Sequence, residues 1–400
     1  MFVSTEKKGT ILMINFDHSA TTPLDRKAAD VYETVATTLY GNTNSLHDIG
    51  GKASRLLERS RVRLAEQLDV APHRLYFTAS GTESNLLAIT QLALGQKERG
   101  MHIVMSRGEH PSVDSAVAFL ETIGFRVTSI PLQRNGIVDL DALKRAMTDE
   151  TTVLIVQHAN PEIGVIQPIE QLSYLAKQYG AALLVDAVQT FGELDVSDIT
   201  PYVDALTIAS HKIYGPKGVA AAYIRPRVRW SPLFPGLTHE SGFRGGTVNV
   251  PGIVSFVTAS TEALRTRIER QERYKRLRER LLQPLRKTFG ERLTVYEHPT
   301  EQLPHIIGFG IYPIEGQLLM LRLNEKGYAI STGSACQVGM QVASKAMYAL
   351  GVSEDRAKEF VRVSFGRDTT EEEIDGLAQA IIDSLRDHTA RMPKQEVFHS

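Results

Sequence analysis

Short apolar runs that end in polar residues alternate with helix-like segments along the first half of this 400-residue chain. Residues 153–157, 182–185 and 205–208 are three such runs, each long enough for one buried strand. This alternation is typical of an α/β fold with a mostly parallel sheet and right-handed crossovers. Because the carboxyl ends of parallel strands meet at one edge, the polar residues that follow them should gather at one rim. Those residues are Thr82, His110, Asn160, Asp186, Gln189, His211 and Lys212.

The composition narrows the classes of protein to which the chain can belong. It carries 45 basic and 46 acidic residues, so neither a nucleic-acid surface nor a membrane surface is indicated. No run approaches the roughly 20 apolar residues of a membrane span. Cys336 is the only cysteine, which excludes an intrachain disulfide and a multi-cysteine metal site and fits a reducing compartment. We therefore expect a cytoplasmic protein without a metal ion.

Lys212 follows an apolar strand and a histidine, and it precedes the turn Gly215-Pro216-Lys217-Gly218. A lysine brought into the interior there would have a lowered pKa, because burial disfavours the ammonium form, and would be a better amine nucleophile. A lysine that forms a Schiff base needs this property. The alternative, a surface lysine at the end of a strand, fits the local sequence equally well.

Gly81 and Thr82 lie where a strand, a turn of small residues and a strongly apolar helix meet. Free backbone N–H groups and the positive end of the helix dipole favour an anion at such a place. Simple N-capping by Ser80 or Thr82 explains the same residues. His110 is similarly ambiguous, since it follows a strand at the ligand-binding edge but a lone histidine is more often structural. The Gly- and Asn-rich stretch 41–51 is either a functional loop or a connector between helices.

A change of pattern after about residue 253 indicates a second domain. One long helix is predicted from about Ile253 through the charged stretch 265–286, whose mixed charges are typical of a solvated face. Beyond it, shorter strands and helices alternate as in an α+β unit. We predict a large domain of residues 21–260 and a small domain of residues 1–20 and 261–400. The chain has no P-loop, dinucleotide-binding fingerprint or nucleophile elbow.

Four motifs, in their order and spacing, resemble those of one protein family. They are Glu109-His110, Val185-Asp186-Ala187-Val188-Gln189, Ser210-His211-Lys212 with the turn after it, and Gly333-Ser334-Ala335-Cys336. Together they are similar to the motifs of cysteine desulfurases, which are fold-type-I pyridoxal-phosphate enzymes of the class V aminotransferase group. The resemblance covers about residues 16–380, and at the cysteine loop it is to the long-loop, nitrogen-fixation and housekeeping type. It implies a large domain with a mostly parallel seven-stranded sheet and a smaller α+β domain that carries the cysteine loop.

For the cofactor, pyridoxal 5′-phosphate, the resemblance implies contacts from the rim residues. Lys212 would hold it covalently and move protons on the substrate, while Asp186 would keep its pyridine nitrogen protonated. Asn160 and Gln189 would hydrogen-bond ring substituents, and His110 would stack on the ring and act as acid and base for the substrate thiol. The residues implied for the phosphate are Gly81, Thr82, Ser210, His211 and, from the second subunit of a homodimer, Thr247.

For the substrate, L-cysteine, the resemblance implies Asn42 and Arg362 as binding residues, with Arg362 clamping the carboxylate through two hydrogen bonds. Cys336 would be the nucleophile: its thiolate takes the substrate sulfur as an enzyme-bound persulfide, and alanine is released. The persulfide would pass to an acceptor protein such as an iron–sulfur scaffold. A buried structural cysteine is the alternative for Cys336.

Other functions on the same fold stay open at this point. A selenocysteine lyase, a transaminase or another lyase would share most of these residues, and a sulfur-transfer adaptor would bind partners without turnover. Ala209 stands where the family commonly has a phosphate-binding serine, and Pro161 where a second asparagine is common. The detailed cofactor contacts are therefore expected to differ from the family pattern.

Overall fold

The computed structural model describes residues 13–332 and 344–391, so Cys336 and its loop lie outside the described residues. The strands in this part of the chain are β1 (Ile14–Asn15), β2 (Leu75–Thr78), β3 (His102–Ser106), β4 (Arg126–Ile130), β5 (Thr151–Gln157), β6 (Ala182–Asp186), β7 (Ala205–Ala209), β8 (Ala220–Ile224), β9 (Leu293–Tyr296), β10 (Ile306–Ile311), β11 (Tyr328–Ala329) and β12 (Phe360–Ser364). The α-helices are α1 (Arg26–Thr38), α2 (Asp48–Leu68), α3 (Gly81–Gln96), α4 (Pro111–Thr122), α5 (Leu140–Ala146), α6 (Ile169–Gln178), α7 (Val250–Arg265), α8 (Arg267–Phe289), α9 (Gly316–Glu325), α10 (Lys345–Ala349), α11 (Glu354–Lys358) and α12 (Glu371–Arg391).

A seven-stranded sheet with the order β2-β8-β7-β6-β5-β3-β4 forms the centre of the fold. The strands from β7 to β4 run parallel, whereas β8 is antiparallel to both β7 and β2. The predicted mostly parallel sheet is thus confirmed. Only residues 210–219 join β7 to β8, too few for a crossover, so the chain must turn back on itself there. Lys212 lies in this short return.

A second, three-stranded antiparallel sheet has the order β12-β10-β9, and β1 pairs in parallel with β11. Helices α8 and α12 pack together and contribute Leu281 and Ile381 to the apolar cluster around this sheet. Met347 and Phe360, by contrast, belong to the cluster around the large sheet. Side chains from residues 261–400, which were predicted to belong to the small domain, therefore also pack in the core around the large sheet. The predicted domain boundary stays a prediction.

The single long helix predicted from Ile253 is wrong, because α7 ends at Arg265 and α8 begins at Arg267. Thr266 separates them with φ −99° and ψ 2°, and its N–H still bonds the Glu262 carbonyl. No proline or glycine marks this break, so the sequence gives no local signal for it.

Arg61 of α2 and Glu240 form a buried ion pair beneath the loop that leads to Thr247. The guanidinium donates from Nη1 to Oε2 at 2.6 Å and from Nη2 to Oε1 at 3.0 Å. Glu240 Oε2 also accepts the backbone N–H of Phe77 at 2.7 Å. The carboxylate thereby fixes a turn in which Glu240 and Ser241 both have positive φ. Because L-residues rarely adopt this backbone conformation, the turn depends on such contacts.

Replacing Arg61 by Met should lower the free energy of unfolding by about 3–5 kcal/mol, because Glu240 would stay buried without its cation. Urea denaturation measures this loss. Arg63→Met is the matched control on the same helix, since Arg63 pairs with Glu66 on the surface at 3.1 Å. That exposed pair should contribute less than about 1 kcal/mol. Equal losses for the two variants would contradict the structural role of Glu240.

Candidate active site

The predicted rim exists, because β3, β5, β6 and β7 are neighbours and end on the same side of the sheet. Asp186 ends β6, and Lys212 follows β7 in the short return to β8. The charges of Asp186 and Lys212 both act on the pKa of His110, and those of Asp186 and Arg362 act on that of Lys212. The structure therefore brings together four of the predicted residues, three at or beyond the ends of strands of the large sheet and one from the second sheet.

Lys212 is half-buried in a single turn of 3-10 helix, Ser210–Lys212. Its Nζ donates to the Ala20 carbonyl at 3.0 Å and to the Ser19 carbonyl. The pKa of Lys212 is lowered from 10.5 to about 8, chiefly by desolvation and also by the nearby Arg362 cation, while Asp186 and Asp17 oppose the shift. Both contacts are neutral carbonyls, so within the described ranges no carboxylate holds the amine as an ion pair. This environment favours a reactive amine over the surface lysine considered above.

Asp186 is buried, and each of its carboxylate oxygens accepts one hydrogen bond. Oδ1 accepts the backbone N–H of Val188 at 2.9 Å, and Oδ2 accepts the side-chain amide of Asn85 at 2.8 Å. Asn85 was not predicted as a site residue. The only sequence signal was a polar amide inside the apolar helix α3, on the side that turns out to be buried.

His110 begins α4, and its ring caps that helix. Nδ1 accepts the backbone N–H of Ser112 at 3.1 Å and lies 2.7 Å from the Ser112 hydroxyl oxygen. Although part of the ring is open to solvent, desolvation lowers the pKa of His110, with Asp186 opposing and Lys212 reinforcing the shift. Burial therefore favours the neutral form of the ring. Ser112 is a second residue that sequence reasoning missed.

Arg362 is a buried residue of β12 and reaches the rim from the second sheet. Nη2 donates to Asp17 Oδ1 at 2.5 Å and Nη1 to the Pro161 carbonyl at 3.2 Å. Its Nε is buried and has no hydrogen-bond partner among the described residues. Asp17, which was not predicted as a site residue, thus holds the guanidinium through Nη2. The buried Nε–H is left as a donor for a ligand.

Four of the other predicted cofactor residues use polar atoms to shape the rim. Asn160 Oδ1 accepts the backbone N–H groups of Glu162 and Ile163 at 2.8 and 3.1 Å, and its Nδ2 donates to the Gly108 carbonyl at 3.3 Å, so only the second amide hydrogen is left for a ligand. Gln189 donates to the Ser19 carbonyl at 3.0 Å. The remaining two residues lie in the Lys212 turn.

Ser210 is fully buried, and its hydroxyl packs so closely against Gly215 that a Cβ there would lie 2.0 Å from Oγ. Its Oγ has no hydrogen-bond partner among the described residues. The His211 ring has Nδ1 3.2 Å from the Thr21 hydroxyl, and desolvation first and then Lys212 lower the pKa of His211 to about 4. Gly215 is therefore required by this turn because any side chain would displace Ser210.

The N-terminus of α3 is compatible with both roles predicted for the turn at Gly81 and Thr82, which are helix capping and anion binding. Ser80 caps the helix, its Oγ accepting the N–H of Glu83 at 3.1 Å. The N–H groups of Gly81 and Thr82 have no intrahelical acceptor, because they belong to the first turn. A Cβ on Gly81 would lie 3.2 Å from the Val188 side chain, just beyond Asp186. The first-turn N–H groups of α3 therefore lie near the turn that follows β6.

The structure does not bring every predicted residue to the rim. Asn42 is exposed, and its Oδ1 accepts the Asn44 N–H at 3.0 Å within its own loop. Thr247 is exposed on a separate loop. The loop that contains Asn42 contacts the loop that leads to Thr247, because the Asn44 side-chain amide lies 3.1 Å from His239 Nε2. Cys336 falls outside the described residues, so its predicted role is not tested here.

Two further features concern residues 13–332 and 344–391. Within these ranges, no three His, Asp or Glu side chains are grouped closely enough to hold a metal ion. None of the helices there combines the length and apolar character needed to cross a bilayer.

Comparison with known proteins identifies the group to which this arrangement is similar. Residues 14–377 match the family described as aminotransferase class-V. A putative cysteine desulfurase NifS of Bacillus subtilis (strain 168) is 44% identical over 367 residues, which is 91% of this chain and 93% of the relative. A solved NifS-like protein superposes with a TM-score of 0.86 at 30% identity, covering 94% of this chain and all of that one. A structure described as SspA in complex with cysteine gives a TM-score of 0.74 at 27% identity, covering 89% and 99%.

Proposed function

The chain belongs to the class-V aminotransferase family, and we propose that within it the protein is a pyridoxal-phosphate-dependent cysteine desulfurase. The observation that carries the proposal is Lys212, a half-buried lysine with a pKa lowered to about 8, in the same rim as Asp186, His110 and Arg362. The relative described as a putative cysteine desulfurase and the solved NifS-like protein support the same activity. The direct test is alanine formation from L-cysteine in the presence of a thiol reductant. A yellow, cofactor-loaded protein that forms no alanine from cysteine would contradict the proposal.

The rim residues fit pyridoxal 5′-phosphate. Lys212 supplies the amine that binds the aldehyde, and the buried Asp186 supplies a carboxylate for a protonated pyridine nitrogen. The free N–H groups at Gly81 and Thr82, at the positive end of α3, suit the phosphate. When bound, the cofactor withdraws electrons from the substrate α-carbon. Lys212, whose pKa of about 8 allows it both to accept and to donate a proton near neutral pH, would then take up and return the proton at that carbon.

Arg362 would bind the substrate carboxylate. Its buried Nε lacks a partner among the described residues, and Nη2 is already oriented by Asp17. A carboxylate that bridges Nε and a terminal nitrogen would satisfy this donor in the bidentate geometry that arginine favours. Asp17 would thus hold the guanidinium in place before the substrate arrives.

Arg362→Lys should raise KM for cysteine about 10- to 100-fold, because the charge remains but one charge-assisted hydrogen bond to the carboxylate is lost. The change in kcat should be smaller, since the lost contact is made in the ground state and the transition state alike. Steady-state kinetics measures both constants. Arg356→Lys, at a pair with Glu359 outside the rim, is the control and should leave KM unchanged. An unaltered KM in Arg362→Lys would exclude Arg362 as the carboxylate ligand.

Cys336 would accept the sulfur. Its thiolate attacks the sulfur of the bound cysteine, a sulfur–sulfur bond forms as the carbon–sulfur bond breaks, and the carbon takes up a proton so that alanine leaves. The atoms balance because cysteine and the thiol become alanine and the persulfide, with no external oxidant. The lone cysteine and its small polar neighbours suit this role.

A second copy of the chain is part of this proposal. Thr247 is exposed, and the two adjoining loops, which meet at Asn44 and His239, also expose the apolar side chains of Leu46, Phe234 and Leu237. Exposed apolar groups of this kind mark interaction surfaces. Thr247 would then reach the phosphate held by the partner subunit, and the homodimer would pass sulfur to an acceptor such as an iron–sulfur scaffold in the cytoplasm.

A further inference from the structure

A chain of hydrogen bonds connects Asp186 to His110 through two side chains to which the proposed reaction assigns no role. Asn85 Nδ2 lies 2.8 Å from Asp186 Oδ2 and 3.0 Å from Ser112 Oγ. Ser112 Oγ lies 2.7 Å from His110 Nδ1, and the backbone N–H of Ser112 donates to the same nitrogen at 3.1 Å. At the other side of Asn85, the Thr207 hydroxyl donates to Oδ1 at 2.7 Å. Asn85, Ser112 and Thr207 are all buried.

Asp186 Oδ2 and His110 Nδ1, at the two ends of this series of hydrogen bonds, determine which group donates in each bond. An ionised Asp186 can only accept, so the Asn85 atom facing it must be the amide nitrogen. The second hydrogen of that amide then points to Ser112 Oγ, which accepts it. A hydroxyl oxygen can accept two hydrogen bonds, so the direction of the last bond is decided at His110. The backbone N–H of Ser112 donates to Nδ1, so this nitrogen must carry a lone pair, and the Ser112 hydroxyl therefore also donates to it.

We propose that Ser112 and Asn85 are positioning residues which fix the neutral His110 ring as the tautomer with its proton on Nε2. Nδ1 cannot bear the proton without opposing the backbone N–H of Ser112. His110 therefore offers the site an N–H donor from Nε2. The part that His110 plays in the reaction rests on the function proposed above, whereas the tautomer itself does not.

A His110 ring with its proton on Nε2 can perform only part of the acid and base role that the resemblance implies. A lone pair is needed to take a proton from a thiol, but Nε2 already carries a hydrogen and the lone pair of Nδ1 is engaged by Ser112. The ring is therefore a poor acceptor of the thiol proton. It is well placed to stabilise negative charge by donating a hydrogen bond.

The charges that face His110 do not by themselves select a tautomer. Asp186 and Asp114 favour protonation of the ring, Lys212 and Lys345 oppose it, and desolvation opposes it most strongly. These effects decide between a neutral and a charged ring. Among the described contacts, only those of Ser112 distinguish Nδ1 from Nε2.

The tautomer can be measured by NMR on the purified holoenzyme with ¹⁵N-labelled histidine, through the long-range couplings of the ring nitrogens. The chain has 12 histidines, and His110→Gln identifies the signals of interest by their loss. We expect Nε2 to show the shift of a protonated nitrogen and Nδ1 that of an unprotonated one. A protonated Nδ1 in the neutral ring would overturn the proposal.

Ser112→Ala tests the cause. Loss of the hydroxyl donor should introduce the Nδ1-protonated tautomer and raise the His110 pKa by roughly 0.5–1, the equivalent of one neutral hydrogen bond. Ser112→Thr, which keeps a hydroxyl, should restore the wild-type spectrum, and Ser115→Ala on the same helix should not change it. A wild-type tautomer and pKa in Ser112→Ala would refute the role of Ser112.

Two further outcomes keep the test decisive. If Ser112→Ala does not fold, the wild-type spectrum and that of Ser112→Thr still decide whether Nδ1 is the acceptor. Asn85→Ala should give a partial mixture of tautomers, and an unchanged spectrum would remove Asn85 from the proposal. Failure of the protein to form alanine would contradict the proposed function and leave the measured tautomer as it is, so the two proposals fail separately.

Discussion

Cys336→Ala should lower the rate of alanine formation from cysteine by at least about 10³-fold, because the thiolate that accepts the sulfur is lost. Cofactor binding should be retained, since Lys212, Asp186 and the N-terminus of α3 are unchanged. The visible absorbance of the purified variant, measured beside its alanine production, separates these two effects. Full activity in the variant would favour a lyase or transaminase that releases sulfur without an enzyme-bound persulfide.

The lone cysteine makes the accompanying labelling experiment unambiguous. Any persulfide formed on the wild-type chain must be on Cys336, so intact-protein mass after incubation with cysteine should show one added sulfur atom. Ser334→Ala, a neighbour in the same sequence motif, is the matched control and should still gain this atom. A wild-type protein that forms alanine but never carries the extra sulfur would refute the nucleophile role.

Lys212→Ala should abolish covalent attachment of pyridoxal 5′-phosphate and lower alanine formation by at least about 10²-fold, because both the binding amine and the proton carrier are removed. Borohydride reduction followed by peptide mapping detects the attachment independently of activity. Lys217→Ala, an exposed lysine of the same turn, should keep both. Label found on Lys217 in the wild-type protein would contradict the assignment.

The lowered pKa of Lys212 also predicts how attachment depends on pH. The neutral amine is the reactive form, and a pKa of about 8 in place of 10.5 increases its fraction at pH 7 about 300-fold. The rate at which cofactor-free protein takes up the aldehyde should therefore rise with pH and level off above about pH 8. A rate that keeps rising towards pH 10 would show that the amine is not desolvated as the structure indicates.

The sequence alone predicted the elements of the site that are local in the chain. Apolar strand patterns placed Asp186 and Lys212 at strand ends, and the sheet order then brought them to one rim, as expected. His110 was predicted in the same way. Such residues can be found because a strand, its terminal residue and the turn that follows are contiguous in sequence.

The supporting residues could not be predicted, because their partners are remote. Asn85 contacts Asp186 across 101 positions, and Asp17 contacts Arg362 across 345. Nothing in the local pattern of α3 or of the N-terminal segment indicates such partners. Side-chain pairing at this distance depends on the tertiary fold.

The segment from Ile14 to Thr22 contacts both sheets. It pairs with β11, its Ser19 and Ala20 carbonyls hold Lys212, and Asp17 holds Arg362. On a ribosome this segment is synthesised long before its strand partner, Tyr328–Ala329. Arg362 is likewise synthesised long after Asp17, so the guanidinium can reach its final position only late in translation. Assembly of the site is a late event in folding, and the exposed N-terminal strand must be kept from pairing wrongly until then.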